Sequence, residues 1–131
     1  METLTWPDPK AALIAYLSGR IDAPVVSRVP ANRPPAFVRV QLAGGAGLGE
    51  GLLSDVAFTV ESWDDDEASA QARAQDIRAA LRAAYVMGGH PVYGYREWGP
   101  PVDLPDESRQ WRYTFTFAIR DRKSTRLNSS H

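Results

Sequence analysis

Residues 110–120 read QWRYTFTFAIR and alternate apolar with polar side chains more strictly than any other stretch of the sequence. This two-residue period predicts a β-strand. One face of that strand carries only apolar side chains, those of Trp111, Tyr113, Phe115, Phe117 and Ile119. The other face is mostly arginine and threonine, a pattern typical of a sheet that packs one face on a core and turns the other to water or to a partner.

Four more segments are predicted as strands because they are short and rich in β-branched or alternating residues. They are Val25–Val29, Ala36–Leu42, Asp55–Trp63 and Pro91–Trp98. In the second of these, alternation puts one set of side chains on one face and a second set on the other. The first set is Val38, Val40 and Leu42, and the second is Phe37, Arg39 and Gln41.

A first helix is predicted at Pro9–Ser18. Asp8 can cap the free N–H groups at its start, and Pro9 at the first helical position loses no hydrogen bond. Gly19 is expected to end this helix.

A second, longer helix carries an apolar stripe at steps of three and four residues. The stripe is Ala70, Ala74, Ile77, Leu81 and Ala84. We expect Asp64 to open the helix through a capping box with Glu67, and Gly88 with Gly89 to end it.

The predicted order of elements is α-β-β-β-α-β-β. Consecutive strands favour antiparallel neighbours, and two helices suffice to cover one face of a sheet. The sequence therefore predicts an α+β fold, with one mixed, mostly antiparallel sheet of about five strands and two helices on one face. Ile77, Leu81, Phe115 and Phe117 are expected to form the core between the second helix and the sheet.

Composition excludes several classes of function. The chain has 131 residues, 15 Lys and Arg, 16 Asp and Glu, and no Cys. Balanced charge excludes the strong basic field of a dedicated nucleic-acid-binding protein, and the lack of Cys excludes thiol chemistry and thiolate metal sites. Without a long apolar run or a signal peptide, we expect a cytoplasmic protein with no membrane partner.

The last eleven residues differ from the rest of the chain. Residues 121–131 are polar and lack a period, and the string from Arg122 to His131 resembles a translated sequencing-adaptor fragment. We expect a single domain at residues 1–120 and a non-native or disordered tail at 121–131. Without the tail, 12 basic and 15 acidic residues leave a net charge of −3.

The segment 43–51 has five glycines in nine residues but matches no phosphate-binding motif. The dinucleotide pattern needs a glycine where Glu50 stands, and the Lys-Ser/Thr pair of a P-loop is missing. We expect a hairpin tip that is mobile until a partner holds it. For Asp64–Glu67 a helix cap is favoured over a metal site, and His90 is expected in an exposed turn.

Two alternatives remain open at this stage. A small metal-dependent nuclease could use Asp55 and Glu61 as ligands, although no lysine accompanies them. The aromatic residues of 111–117 could stack on bases, although their strict period favours a core face. We identify no catalytic residue, metal ligand or cofactor site, and expect no enzyme activity.

Eight short strings resemble, in order, the tail terminator proteins of long-tailed (siphovirus-type) bacteriophages and prophages, in their actinobacterial type. They are RVP at 28–30, RP at 33–34, FVRV at 37–40, VESW at 60–63, VY at 92–93, RE at 96–97, GPPVDLPD at 99–106 and RYTFT at 112–116. The proline string after Glu97 is the most specific of them. The resemblance spans about residues 8–120.

This resemblance implies a structural protein that forms a hexameric ring at the head-proximal end of the tail tube. The ring stops tube polymerisation and docks the head-completion (stopper) protein. Its partners are other copies of itself, the major tail-tube protein and that head-completion protein. It reads no nucleic acid sequence, although DNA passes through the lumen. It is located in the virion neck, and in the host cytoplasm during assembly. Another neck component, a head–tail connector or stopper, is the alternative.

A head-to-tail ring needs two different surfaces on each subunit. We expect the arginines near the first prolines and the two loops to supply them. The predicted interface residues are Arg28, Arg33, Arg39, Gly45, Gly47, Gly49, Pro100, Pro101 and Asp103.

Overall fold

A computed structural model describes residues 8–46, 53–87, 89–97, 102–103 and 110–122. Its helices are α1 (Pro9–Ser18) and α2 (Glu67–Arg82). Its strands are β1 (Val25–Val26), β2 (Ala36–Ala46), β3 (Leu53–Asp64), β4 (Val86–Met87), β5 (His90–Glu97), β6 (Val102–Asp103) and β7 (Trp111–Arg122). The predicted α+β class is confirmed, and the five predicted strands are present with β4 and β6 added.

The sheet is built around β7, the most regular segment of the sequence. Its strand order is β1-β2-β3-β7-β5-β4, and β6 pairs with β7 next to β5. Only β1 and β2 run parallel, whereas the other neighbours are antiparallel. The predicted strand Val25–Val29 is shorter in the structure, because pairing with β2 stops at Val26.

The core lies between one face of the sheet and the two helices. Leu13 and Leu17 of α1 and the whole predicted stripe of α2 except Ala84 are buried there. In the sheet, Phe58 stacks on Phe117 with ring centroids 5.5 Å apart. The predicted core residues Ile77, Leu81, Phe115 and Phe117 are all buried, which confirms that α2 packs on this face.

The start of α2 differs from the prediction. Asp64 belongs to β3 and pairs with Trp111, so its backbone is extended. The N-cap is Asp66, whose Oδ2 accepts the N–H of Ser69 at 2.9 Å. Hydrogen bonds from Ser69 lower the pKa of Asp66. Asp64 instead ties the strand to the helix, because its Oδ2 accepts a hydrogen bond from Arg73 at 2.9 Å.

The end of α2 also differs from the prediction. The helix stops at Arg82, well before Gly88 and Gly89, because the next residues pair as a hairpin. Met87 is opposite His90, which places His90 in a strand and not in a turn. Gly89, with φ of +75°, occupies the turn position that favours glycine.

The predicted hairpin tip at residues 43–51 begins later in the structure, because β2 extends to Ala46. β2 continues past a bulge at Ala43, and Gly45 pairs with Val56 of β3. The remainder of the predicted hairpin tip, residues 47–51, lies outside the described residues. β7 runs to Arg122, and the remaining nine residues of the predicted tail also lie outside them. Within the described ranges, neither helix is long and apolar enough to cross a membrane.

Candidate assembly surface

The face of the sheet opposite the core is the open face. In the described part of the chain both helices pack on the core face. The open face therefore consists of the side chains of β2, β3 and β7 that point away from the helices. Neighbouring rows of the open face contain Phe37 and Trp63, then Arg39 and Glu61, then Gln41 with Thr59 and Thr116. The hydroxyls of Thr59 and Thr116 lie 3.0 Å apart.

Glu61 is the centre of an ion-pair network on the open face. Only 6% of the residue is exposed. Its carboxylate accepts two hydrogen bonds from Arg39, at 2.8 and 3.1 Å, and one from the indole Nε1 of Trp63 at 3.1 Å. Nη1 of Arg112 lies 3.8 Å from Oε2. Paired charges and the bidentate arginine satisfy a carboxylate that burial would otherwise penalise.

Trp63 is 2% exposed although it lies on the face that no described helix covers. Its ring stacks on Phe37 with centroids 5.2 Å apart. The guanidinium carbons of Arg33 and Arg112 lie 5.1 and 5.2 Å from the ring centroid, within the range of a cation–π contact. Arg33 thereby brings the segment between β1 and β2 onto the open face.

That proline-bearing segment is also fixed by hydrogen bonds. Nε2 of Gln110 donates to the carbonyl of Pro34 at 3.0 Å, and the N–H of Asp65 donates to the carbonyl of Pro35 at 3.0 Å. Gln110 is the last residue before β7, so its hydrogen bond to Pro34 fastens the proline-bearing segment to the start of β7. The two bonded residues are 76 positions apart in sequence.

The predicted interface residues have different surroundings. Arg28 is exposed after β1, and Arg33 is exposed and lies over Trp63. Arg39 is already hydrogen-bonded within the chain. Gly45 lies in β2, and Asp103 pairs opposite Tyr113. The others, Gly47, Gly49, Pro100 and Pro101, lie outside the described residues.

Sequence patterns predict no interface role for three residues of this surface, Glu61, Arg112 and Gln110. Glu61 is a candidate there only as a metal ligand. Alternation puts Glu61 on the polar face of β3 and Arg112 on the polar face of β7. It cannot reveal that these two strands are neighbours. Pairing of Trp63 with Arg112 in the ladder supplies that information.

The geometry disfavours the metal-dependent nuclease. Asp55 and Glu61 are six residues apart on β3, which separates them by about 20 Å. One metal ion cannot bridge that distance, and the carboxylate of Glu61 is occupied by Arg39. Among the described residues no group of three His, Asp or Glu side chains could hold a metal ion.

A second ion-pair network lies on the core side, between α2 and the end of β5. Arg78 donates to both carboxylate oxygens of Glu97, and the hydroxyl of Tyr95 donates to the same carboxylate. The bonds from Arg78 and Tyr95 lower the pKa of Glu97, whereas burial is the main cause that raises the pKa of Tyr95. The network holds Glu97, the last residue of β5, against α2.

Comparisons with known proteins support the fold alone. No family model and no curated protein sequence matches the chain. A chain in the solved structure described as "Virion of native gene transfer agent (GTA) particle" has the same fold, with a TM-score of 0.56 and 20% identity. The match covers 85% of this chain and 84% of that one.

Proposed function

We propose that this chain is a structural component of a phage-like particle, and that it forms the ring that terminates the tail. The observation that carries the proposal is the fold shared with a chain of a gene transfer agent virion, over 85% of this chain. Because the match also covers 84% of that chain, the likeness extends over most of a subunit rather than one motif.

The finer role, tail terminator, rests on the resemblance in sequence. Its motifs fall on distinct parts of the fold. The VESW string at 60–63 supplies Glu61 and Trp63 to the open face and Val60 and Ser62 to the core face. Glu97 of the RE string ends β5 and is bound by Arg78. These residues support the fold and fasten the segments that would contact neighbours.

A structural rather than catalytic role agrees with the chemistry of the side chains. The buried carboxylates Glu61 and Asp64 and the partly buried Glu97 are each bound by an arginine. A general base or a metal ligand needs a free carboxylate facing a substrate-sized cleft. Carboxylates that are paired with arginines instead hold strands and loops in position, as a structural protein requires.

The proposed partners are five further copies of the chain, the tail-tube protein and the head-completion protein. The proposed location is the neck of the particle, with assembly in the host cytoplasm. Arg28 and Arg33, on the exposed segment after β1, are the described residues best placed for a neighbouring subunit. Arg39 contributes indirectly, because it holds Glu61, which accepts the indole N–H of the Trp63 ring under Arg33.

Native mass spectrometry and negative-stain electron microscopy test this function. The purified chain, alone and with the tail-tube protein of the same particle, is expected to form a ring of six copies. Added during tube growth, it is expected to shorten tubes in proportion to its concentration, relative to growth without it. A ring that binds the head-completion protein but leaves tube length unchanged would indicate another neck component. A chain that stays monomeric under every condition would overturn the proposal.

A further inference from the structure

The outer edge of β2 is only partly covered. β1 pairs with Val38 and Arg39, and the N–H of Val38 donates outward to the carbonyl of Pro24 at 2.8 Å. Strand alternation then turns the backbone N–H and C=O groups of Leu42 outward, and, beyond the bulge, those of Gly45. None of the described strands pairs with this side of β2 beyond Arg39.

The edge of β5, at the other side of the sheet, is covered in the same partial way. β4 pairs only with the start of β5, where the N–H of Val92 donates outward to the carbonyl of Tyr85 at 3.0 Å. A bulge at Gly94, with φ of +82°, shifts the alternation by one residue. The backbone groups of Tyr95 and Glu97 therefore point outward, with no pairing partner among the described strands.

The two open edges lie at the same height of the sheet. One row of paired residues runs from Leu42 through Phe58 and Phe117 to Glu97. The next runs from Gly45 through Val56 and Ile119 to Tyr95. A second copy displaced sideways along these rows would bring its outward groups of β5 opposite those of β2.

Strand direction favours the same arrangement. β2, β3, β7 and β5 alternate in direction across the sheet, so β2 and β5 are antiparallel. A second copy in the same orientation continues this alternation and forms an antiparallel pair, the more stable type. An exposed strand edge is a template for pairing with another chain, and native edges are usually shielded. Here Leu42, 50% exposed, leaves an apolar side chain at the edge.

We infer that the open edge of β2 binds the open edge of β5 of a second copy, which joins the sheets of neighbouring subunits head to tail. This inference rests on the proposed ring and names the contact that builds it. The two edges differ, so the contact is heterologous and can close a ring. Leu42 would pack beside Tyr95 of the next copy, which covers its exposed half.

Disulfide trapping tests the contact, because the chain has no native Cys. Within one chain Leu42 and Glu97 are three strand spacings apart, about 14 Å, which no disulfide spans. Oxidation of assembled Leu42→Cys/Glu97→Cys should therefore give a covalent series up to the full ring on a non-reducing gel. Tyr85, 78% exposed next to β4, supplies the matched control, Leu42→Cys/Tyr85→Cys, which should give no series.

Leu42→Pro provides a second test that leaves Glu97 intact. The N–H of Leu42 points away from β3, so proline should leave the melting temperature of the monomer unchanged but abolish the ring. Leu42→Val, which keeps the N–H, should still assemble. A wild-type ring without the covalent series, or a ring from Leu42→Pro, would overturn the edge contact and leave the proposed function standing. No ring from the wild type would overturn both.

Discussion

The carboxylate of Glu61 is buried on the open face and depends on Arg39 for two of its hydrogen bonds. A buried carboxylate that loses its main cation retains its desolvation cost. Removing one partner of the ion pair therefore destabilises the fold more than removing both. We therefore expect Arg39→Met to lower the free energy of unfolding by about 3 kcal/mol, measured by urea denaturation.

The double variant Arg39→Met/Glu61→Met is the control for this effect. It removes both charges, so it should recover at least half of the stability that the single variant loses. A double variant that is less stable than Arg39→Met would mean that the carboxylate is satisfied by Arg112 and Trp63 without Arg39.

The pairing of Glu97 with Arg78 predicts a pH dependence. The hydrogen bonds from Arg78 hold the pKa of Glu97 below its usual range. Such a group stabilises the fold above its unfolded pKa, about 4.3, and that contribution is lost as pH falls through the folded value. Glu97→Gln should therefore be less stable than the wild type at pH 7, and the gap should narrow below about pH 4.

Urea midpoints between pH 3 and pH 7 measure this gap. In an Arg78→Gln background the same Glu97→Gln change should show a much flatter pH profile, because the group that lowers the pKa of Glu97 most is gone. A gap of constant size in the wild-type background would argue against the pairing.

The apolar stripe of α2 determines which face of the helix packs on the sheet. Leu81 is buried with Ile77 against the aromatic residues of β7. Leu81→Ala should lower the free energy of unfolding by about 2–5 kcal/mol, the usual range for a buried leucine. Gln71→Ala, at an exposed position of the same helix, should change it by less than about 0.5 kcal/mol. Equal losses at both positions would contradict the packing.

Elements with a strong period could be predicted from the sequence, and their neighbours could not. Strict alternation predicts β7, and apolar residues at steps of three and four predict the stripe of α2. The predicted N-cap of α2 was wrong because Asp64 and Asp66 have the same side chain. Only the pairing of Asp64 with Trp111 assigns Asp64 to a strand. The Glu61 network depends on strand order, a contact across the chain that no local pattern contains.

Ring formation should depend on Arg33, an exposed residue of the proline-bearing segment that leads into β2. We expect Arg33→Glu to abolish ring formation while lowering the stability of the monomer by no more than about 1 kcal/mol, the size of an exposed cation–π contact. Native mass spectrometry and thermal melting measure the two effects.

Arg20 provides the matched control for Arg33. It is also exposed, and its guanidinium carbon lies 3.7 Å from the ring centroid of Tyr16, but on the side of the helices. Arg20→Glu should leave ring formation unchanged. Rings from both variants alike would remove the proline segment from the interface.

The alternation of β3 has a consequence for how this gene can change in length. Val60 and Ser62 point into the core, where Ser62 bonds the carbonyl of Ala70, whereas Glu61 and Trp63 point the other way. One codon inserted or deleted within β3 would exchange the two sets and drive the carboxylate of Glu61 beneath α2. Viable insertions and deletions in a mutant library should therefore be depleted across residues 53–64 and concentrate in the connections between strands.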